Sequence, residues 1–304
     1  MTVHARGYRA YTGAFHAPPA ALAIAREAAG RIWKSVAFKR ISVLFLLWFA
    51  VCAVMLYVSV GMGQNLFGRL ARQAVDSDQY FVLMLNWVLR IFYTGLSYLT
   101  ALLAIFVGSG LIADDLQAGA LPLYLVRPLR AWDYVVGKAL VLPVMLLGVS
   151  LLPGLFLYLI TGLWRPPGET WSFLGAHLDI PLRVLEYYLV TAALYTGLLL
   201  FFSSRSARRT AVAITAGVVI FGGALLQGIG MGQRVRGPLG DAMRLAGLPH
   251  DTTFPFIRAT PAFGRGIRRA LYPEPESVWI LAAVLLALGL LFAWRRARSV
   301  EVTS

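Results

Sequence analysis

Charge is scarce in this chain. Only 14% of its 304 residues are Asp, Glu, Lys or Arg, and just 14 of those are acidic, whereas soluble domains carry roughly 25% charged residues. A single cysteine, Cys52, lies inside an apolar run, which excludes a disulfide framework and leaves the redox compartment unread. The four histidines are scattered, and His250 beside Asp251 is too sparse a pair to mark a metal site. No G-x-x-x-x-G-K-[ST] phosphate loop occurs anywhere, so ATP hydrolysis by that route is excluded for this polypeptide. A cleavable signal is not expected either, because the first apolar run begins about 40 residues in and is too long for a signal's apolar region. Lysine is rare beside arginine, 3 against 25, which reads as genomic composition rather than chemistry.

What is present is apolar length. The chain is 59% hydrophobic with a mean hydropathy of +0.69. Six stretches, about 41–62, 91–113, 139–162, 187–203, 210–232 and 278–294, approach or exceed the roughly 17 residues needed to cross a hydrocarbon core as helix. None contains a charged residue. A central Arg, Lys or Asp costs about 2.5–3.5 kcal/mol on insertion, so runs of this kind should enter the bilayer. They do not alternate polar with apolar residues, which excludes strands of a membrane barrel. The expected fold class is an all-α polytopic membrane protein of six transmembrane helices.

Basic residues orient those helices. With the N-terminus in the cytoplasm, sixteen Lys and Arg flank the inner ends, from Arg6 through Lys39 and Arg40 to Arg298. The first two outer loops then hold Arg69, Arg72, Arg90, Arg165 and Arg183, and a third outer loop, 233–277, adds seven more arginines. The short loops and the first span carry most weight in the positive-inside rule, which places both termini inside. The net charge of +14 does not point to nucleic acid. Its arginines lie on both sides of the membrane, and no loop interleaves a dense basic run with stacking aromatics. Membrane lipid is the expected partner of the cytoplasmic arginines.

Residues 1–17 read as a poorly ordered tail. Pro18-Pro19 then open a segment, 18–40, whose Leu22, Ala25, Ala29, Ile32, Trp33 and Val36 recur at helical spacing, with Glu27, Arg31 and Lys34 opposite. That is the pattern of a helix lying in the membrane interface; a cytosolic helix packed on a partner is the alternative. On the outer side, 163–181 reads as a loop marked by Trp164 and Trp171. The proline-rich 233–277 region could hold short helices near 239–247 and 262–271, acting as a lid or a plain cap. Arg183 and Glu186, one turn apart, are expected to pair.

No catalytic constellation emerges. Asp114-Asp115 resembles part of an acidic metal-diphosphate motif, but position 118 is Ala and no second acidic motif follows on another span. Glu27-Ala28-Ala29-Gly30 resembles part of the contact motif of importer permeases, yet its spacing and place before the first span are wrong.

The densest polar patterning lies between the second and third spans. Gly108 and Gly110 permit close helix approach. Asp114 and Asp115 mark the water boundary and can orient a short helix. Gly119 permits a turn, Leu121, Leu123, Tyr124 and Leu125 supply an apolar face, and Arg127-Pro128 restarts the chain. Arg130, Trp132, Tyr134, Gly137 and Lys138 lead into the third span. A short amphipathic helix at the surface, held by two rigid spans, is expected.

The run Gly108, Ile112, Asp115, Gly119, Leu121, Leu125, Arg127-Pro128, Arg130, Tyr134, Gly137, Lys138 resembles a motif of the permease subunit of type-2 ATP-binding-cassette exporters. The six spans, cytoplasmic termini and interfacial N-terminal helix agree with that family across about 18–298. Asp115 stands where glutamate is usual, which keeps the charge and shortens its reach. The resemblance implies a non-enzymatic permease of a bacterial or archaeal inner membrane, paired with a second copy or paralogue. Two ABC ATPase subunits would bind ATP and magnesium, with no cofactor on this chain. The loop would carry a cytoplasmic coupling helix docking on the ATPase, through Asp114, Asp115, Gly119, Leu121, Tyr124, Arg127, Pro128, Arg130, Tyr134 and Lys138. A pathway or dimer interface could use Tyr93, Gly95 and Tyr98 of the second span with Gly222, Gly223 and Gln227 of the fifth, suiting a lipophilic or amphipathic cargo; ordinary helix packing explains the same residues. A membrane anchor using ATPase motion for mechanical or regulatory work, and a lipid-modifying membrane enzyme, remain as alternatives.

Overall fold

The computed structural model describes residues 19–65, 77–120, 130–165, 168–228, 253, 255 and 275–301, and the regular elements among them are helical. In chain order they are α1 (Ala20–Lys34), α2 (Val36–Asn65), α3 (Ser77–Gly108), α4 (Ala113–Gln117), α5 (Ala131–Leu146), a π-helical turn (Leu147–Leu151) continuing into α6 (Leu152–Leu163), α7 (Thr170–Ala176), α8 (Asp179–Arg205), α9 (Arg209–Gly228) and α10 (Pro275–Glu301). The tail at 1–17, the coupling candidates Leu121, Tyr124, Arg127 and Pro128, and nearly all of the 233–277 loop lie outside the described residues.

Five segments among these residues are long and apolar enough to cross a membrane: Val36–Val60, Phe81–Gln117, Ala131–Leu163, Asp179–Arg205 and Glu276–Ser299. At about 1.5 Å per residue each exceeds a hydrocarbon core of roughly 30 Å. The chain is an all-α, multi-pass membrane protein. The stretch expected as a fifth span corresponds to α9, whose described apolar part, Arg209–Leu225, is shorter than the rest.

Several boundaries differ from the sequence expectation. Helix α3 starts at Ser77, so Arg90 sits inside a helix rather than in a loop. The stretch 163–181 holds α7 and the first turn of α8. The charged first turn of α8 extends that helix because its side chains find partners. Arg183 pairs with Asp179 one turn earlier, not with Glu186, and also donates to Asn86 Oδ1 on α3 at 3.0 Å. Glu186 instead accepts from Trp279 Nε1 on α10 at 3.2 Å.

The N-terminal segment is two helices rather than one. Ser35 is extended (φ −70°, ψ 141°), and its Oγ accepts from the Phe38 amide at 3.2 Å, an N-cap that starts α2 and ends α1. Ala25 and Ala28 of α1 are buried, while Leu22, Trp33 and Val36 are exposed. Gly137 explains how closely α1 rests on α5: a Cβ there would stand 2.8 Å from the Ala21 carbonyl oxygen.

Helix α8 is the axis of the core. Tyr187, Val190, Leu194, Tyr195 and Leu199 are fully buried, packed among α3, α5 and α10. Helix α10 runs parallel to α8, with Gly197 and Gly289 so close that a Cβ on either would overlap the other helix's backbone. One turn on, Phe201 and Phe292 meet edge to face at 5.0 Å, under the Arg205 guanidinium. Helix α2 is peripheral, exposing Val43, Leu46, Leu47, Val51 and Val54, as an apolar surface facing lipid would.

The span Ala131–Leu163 is interrupted halfway. Pro143 and Pro153 lack amide donors, and a proline ring crowds the carbonyl four residues earlier, so the helix widens into the π turn between them. Neighbouring tyrosines restore hydrogen bonds there. Tyr93 donates to the Ser150 carbonyl and Tyr188 to the Pro143 carbonyl, each at 3.1 Å. Such repair from neighbouring helices is what a broken helix needs inside a membrane.

Candidate functional site

Helix α3 ends at Gly108, where a side chain would overlap Leu199 of α8, so the last turn of α3 lies directly against the core helix. The chain turns through 109–112 and begins α4. The first amides of α4 receive no cap from their own segment. Instead Ser203 Oγ, reaching from α8, accepts from both Ile112 N and Ala113 N at 2.9 Å.

Helix α4 closes with a Schellman cap. Gly119 takes φ +62°, the Ala120 amide donates to the Asp115 carbonyl at 2.9 Å, and the Gly119 amide donates to the Leu116 carbonyl at 3.3 Å. The turn expected at Gly119 is present, and its left-handed backbone favours glycine. The cap lies at the surface, with Ala118 and Gly119 exposed.

Both roots of the loop converge on one buried carboxylate. Asp115 Oδ2 lies 2.6 Å from Lys138 Nζ and accepts from the Tyr134 hydroxyl at 2.6 Å. Asp115, Tyr134 and Lys138 are 5%, 2% and 4% exposed, so all three side chains are withdrawn from solvent. The spacing Tyr134 to Lys138 is one helical turn, which places both donors on the same face of α5, towards α4. A buried pair of this kind gains little net energy over an apolar substitute, yet removal of one partner costs about 3–5 kcal/mol. Its effect is to specify how α3, α4 and α5 meet.

Asp114, next in sequence, faces the other way. It is exposed, and its Oδ2 lies 3.5 Å from Arg209 Nη1 at the start of α9. Arg209 also donates to the Phe106 carbonyl at 2.8 Å and covers the Phe106 ring at 5.2 Å. A cation at a helix N-terminus opposes the helix dipole, and Asp114 offsets it. Arg130 is exposed at the start of α5.

Of the residues expected at this site, Asp115, Tyr134 and Lys138 come together and are internal, whereas Asp114, Gly119 and Arg130 face outward. Ser203, Arg209 and Gly137 belong to the same assembly. Ser203 lies ninety residues away from the amides it caps, so only the tertiary fold pairs them.

Among the candidate pathway residues, Tyr93 and Gly95 lie in helix-packing contacts. Tyr93 is fully buried, 4.3 Å from the Tyr187 ring, with its hydroxyl on the π turn. Gly95 makes room for Trp48 of α2, whose Nε1 donates to the Phe92 carbonyl at 2.9 Å. Tyr98 is half-buried. On α9, Gly223 is buried and Gly222 borders open space; the Gln227 side chain lies outside the described residues. Among the described residues no group of three or more His, Cys, Asp or Glu could hold a metal ion. No family model matches the chain, and no curated protein matches it.

Proposed function

We propose that the chain is the permease subunit of a type-2 ATP-binding-cassette exporter, forming with a second copy or paralogue the route for a lipophilic or amphipathic cargo. In this reading α9 and the residues to about 232 complete a sixth span. Both termini and the 109–138 loop face the cytoplasm of a bacterial or archaeal inner membrane. The loop between the second and third spans carries the coupling helix, and two separate ATPase subunits bind ATP and magnesium.

The observation that carries the reading is the buried Asp115–Tyr134–Lys138 clamp joining the two roots of this loop. A lever transmits displacement only when its roots do not yield. The clamp ties α4 to α5, Ser203 ties α4 to α8, and Arg209 ties the same corner to α9. Force applied at the exposed turn therefore reaches several spans at once, which is what alternating access requires of its input. The motif resemblance supports the same assignment.

Gly119 is the better probe of this function than Asp115, because loss of a buried carboxylate also perturbs folding. Proline at 119 would fix φ near −65° and remove the donor to Leu116, whereas asparagine tolerates the left-handed conformation. Full-length chain purified from its native membrane should bring an ATPase with it. Gly119→Pro should lose most of that ATPase and at least ten-fold of the ATP hydrolysis, with membrane insertion intact, and Gly119→Asn should keep both. Absence of any ATPase with the unmodified chain, or equal amounts with Gly119→Pro, would reject the assignment.

A further inference from the structure

Beside the clamp lies a cavity of about 240 Å³ lined by five elements. We propose that it binds the phosphate of an anionic phospholipid headgroup, one lipid per chain. The inference rests on the cavity itself and not on the transport reading.

Three cations border the space from three different helices: Arg31 of α1, Lys138 of α5 and Arg209 of α9. Two carboxylates border it too, Asp114 and Asp115, and each is engaged, with Arg209 at 3.5 Å and Lys138 at 2.6 Å respectively. One positive charge is left over, and it belongs to Arg31. Its acidic neighbour, Glu27, stands 3.9 Å away with both side chains exposed, a pairing that holds little energy in water. A phosphodiester carries one negative charge, which matches the surplus.

Donor capacity matches as well. A guanidinium offers five N–H groups and an ammonium three. Arg209 spends Nη2 on the Phe106 carbonyl and Nη1 on Asp114, and Lys138 has one acceptor in Asp115. Each guanidinium therefore carries more N–H groups than these contacts use, so an incoming oxyanion finds donors without displacing the clamp.

The remaining walls are apolar, from Ile32, Phe106, Val107 and Leu111. A free anion gains nothing from such walls, whereas the glycerol and first acyl carbons of a lipid do. In this proposal the cavity lies at the depth of the headgroups. It is bounded by an amphipathic helix, α1, and by the ends of apolar spans at which α3 stops and α5 begins. Basic pockets between helices at this level are suited to anionic headgroups.

The test uses the full chain in phosphatidylcholine nanodiscs with and without phosphatidylglycerol, released into native mass spectrometry to count retained lipid. One phosphatidylglycerol per chain should be retained in preference to phosphatidylcholine. Each cation near an anionic lipid contributes a factor of roughly five, so Arg31→Gln with Arg209→Gln should weaken retention about 30-fold. Arg31→Gln alone should weaken it about five-fold, which keeps the test decisive if the double variant misfolds. Arg31→Lys should retain the lipid. Arg296→Gln, an equal charge loss near the same end of α10, should change nothing. Equal retention of the two lipids, or undiminished retention in Arg31→Gln, overturns the proposal. Occupancy by added inorganic phosphate without retained phosphatidylglycerol overturns the lipid assignment in favour of a free anion.

Discussion

Where the chain leaves α3 after Gly108 and re-enters the membrane at Ala131, the break is closed by charge: Lys138 on Asp115, Arg209 on Asp114, with Ser203 and Tyr134 completing the set. Halfway along Ala131–Leu163 the helix is also broken, at the π turn, and there the repair is neutral, two tyrosine hydroxyls on two carbonyls. The difference follows depth. A charge in mid-span costs about 2.5–3.5 kcal/mol to insert, whereas at the end of a span Asp114 and Arg209 are exposed and the buried Asp115 is paired with Lys138. A charged joint is also the more specific one, because it tolerates loss of neither partner. The neutral joint can lose one hydroxyl and keep its apolar packing.

The largest effect should therefore come from the charged joint. Lys138→Met leaves Asp115 buried without its cation and should cost about 3–5 kcal/mol, read as a shift in equilibrium unfolding in mixed micelles. Adding Asp115→Asn should return most of that loss, since the stranded charge is gone. If Lys138→Met alone costs less than about 1 kcal/mol, a surface pair's worth, the contrast between the two breaks disappears.

Next in size is the cap that crosses from α8. Ser203→Ala removes the acceptor for two buried amides, and once the turn relaxes towards water the loss should be about 1–3 kcal/mol in all. Hydrogen exchange at Ile112 and Ala113 should accelerate selectively, while amides around the π turn stay protected. Exchange that rises equally in both regions would show that the two joints are not separate.

The two joints also differ in how far they could be read from the sequence. Apolar runs located all five long spans, because hydropathy acts residue by residue and needs no tertiary partner. Gly119 was legible as a turn for the same local reason. The clamp was legible only in part: Asp115, Tyr134 and Lys138 stood out as polar residues at a span boundary, but nothing local indicated that they face inward. Ser203 was invisible, since its partners lie ninety residues away. Arg209 read as a topology charge, and its second role depends on how α9 meets α3. The N-terminal ends of α3 and α8 were misjudged because Arg90, Asp179 and Arg183 look like loop residues until their neighbours are known. Ser35 was a missed local signal, a cap residue three positions ahead of Phe38.

The smallest effect should come from the neutral joint. Tyr93→Phe removes one hydroxyl donor from the Ser150 carbonyl, and hydrogen bonds between membrane helices average about 0.6 kcal/mol. The ring and its contact with Tyr187 remain, so the loss should stay near that value. Geometry provides a sharper reading than magnitude. Gly154 lacks a side chain where the Tyr93 hydroxyl lies, and a Cβ there would overlap it. Gly154→Ala should therefore be costly in the unmodified chain and cheaper in the Tyr93→Phe background, where the hydroxyl is gone. The double variant should then be more stable than the sum of the single losses predicts, by more than the roughly 0.3–0.5 kcal/mol within which independent sites add. Strict additivity would mean that the hydroxyl and the glycine do not share one space.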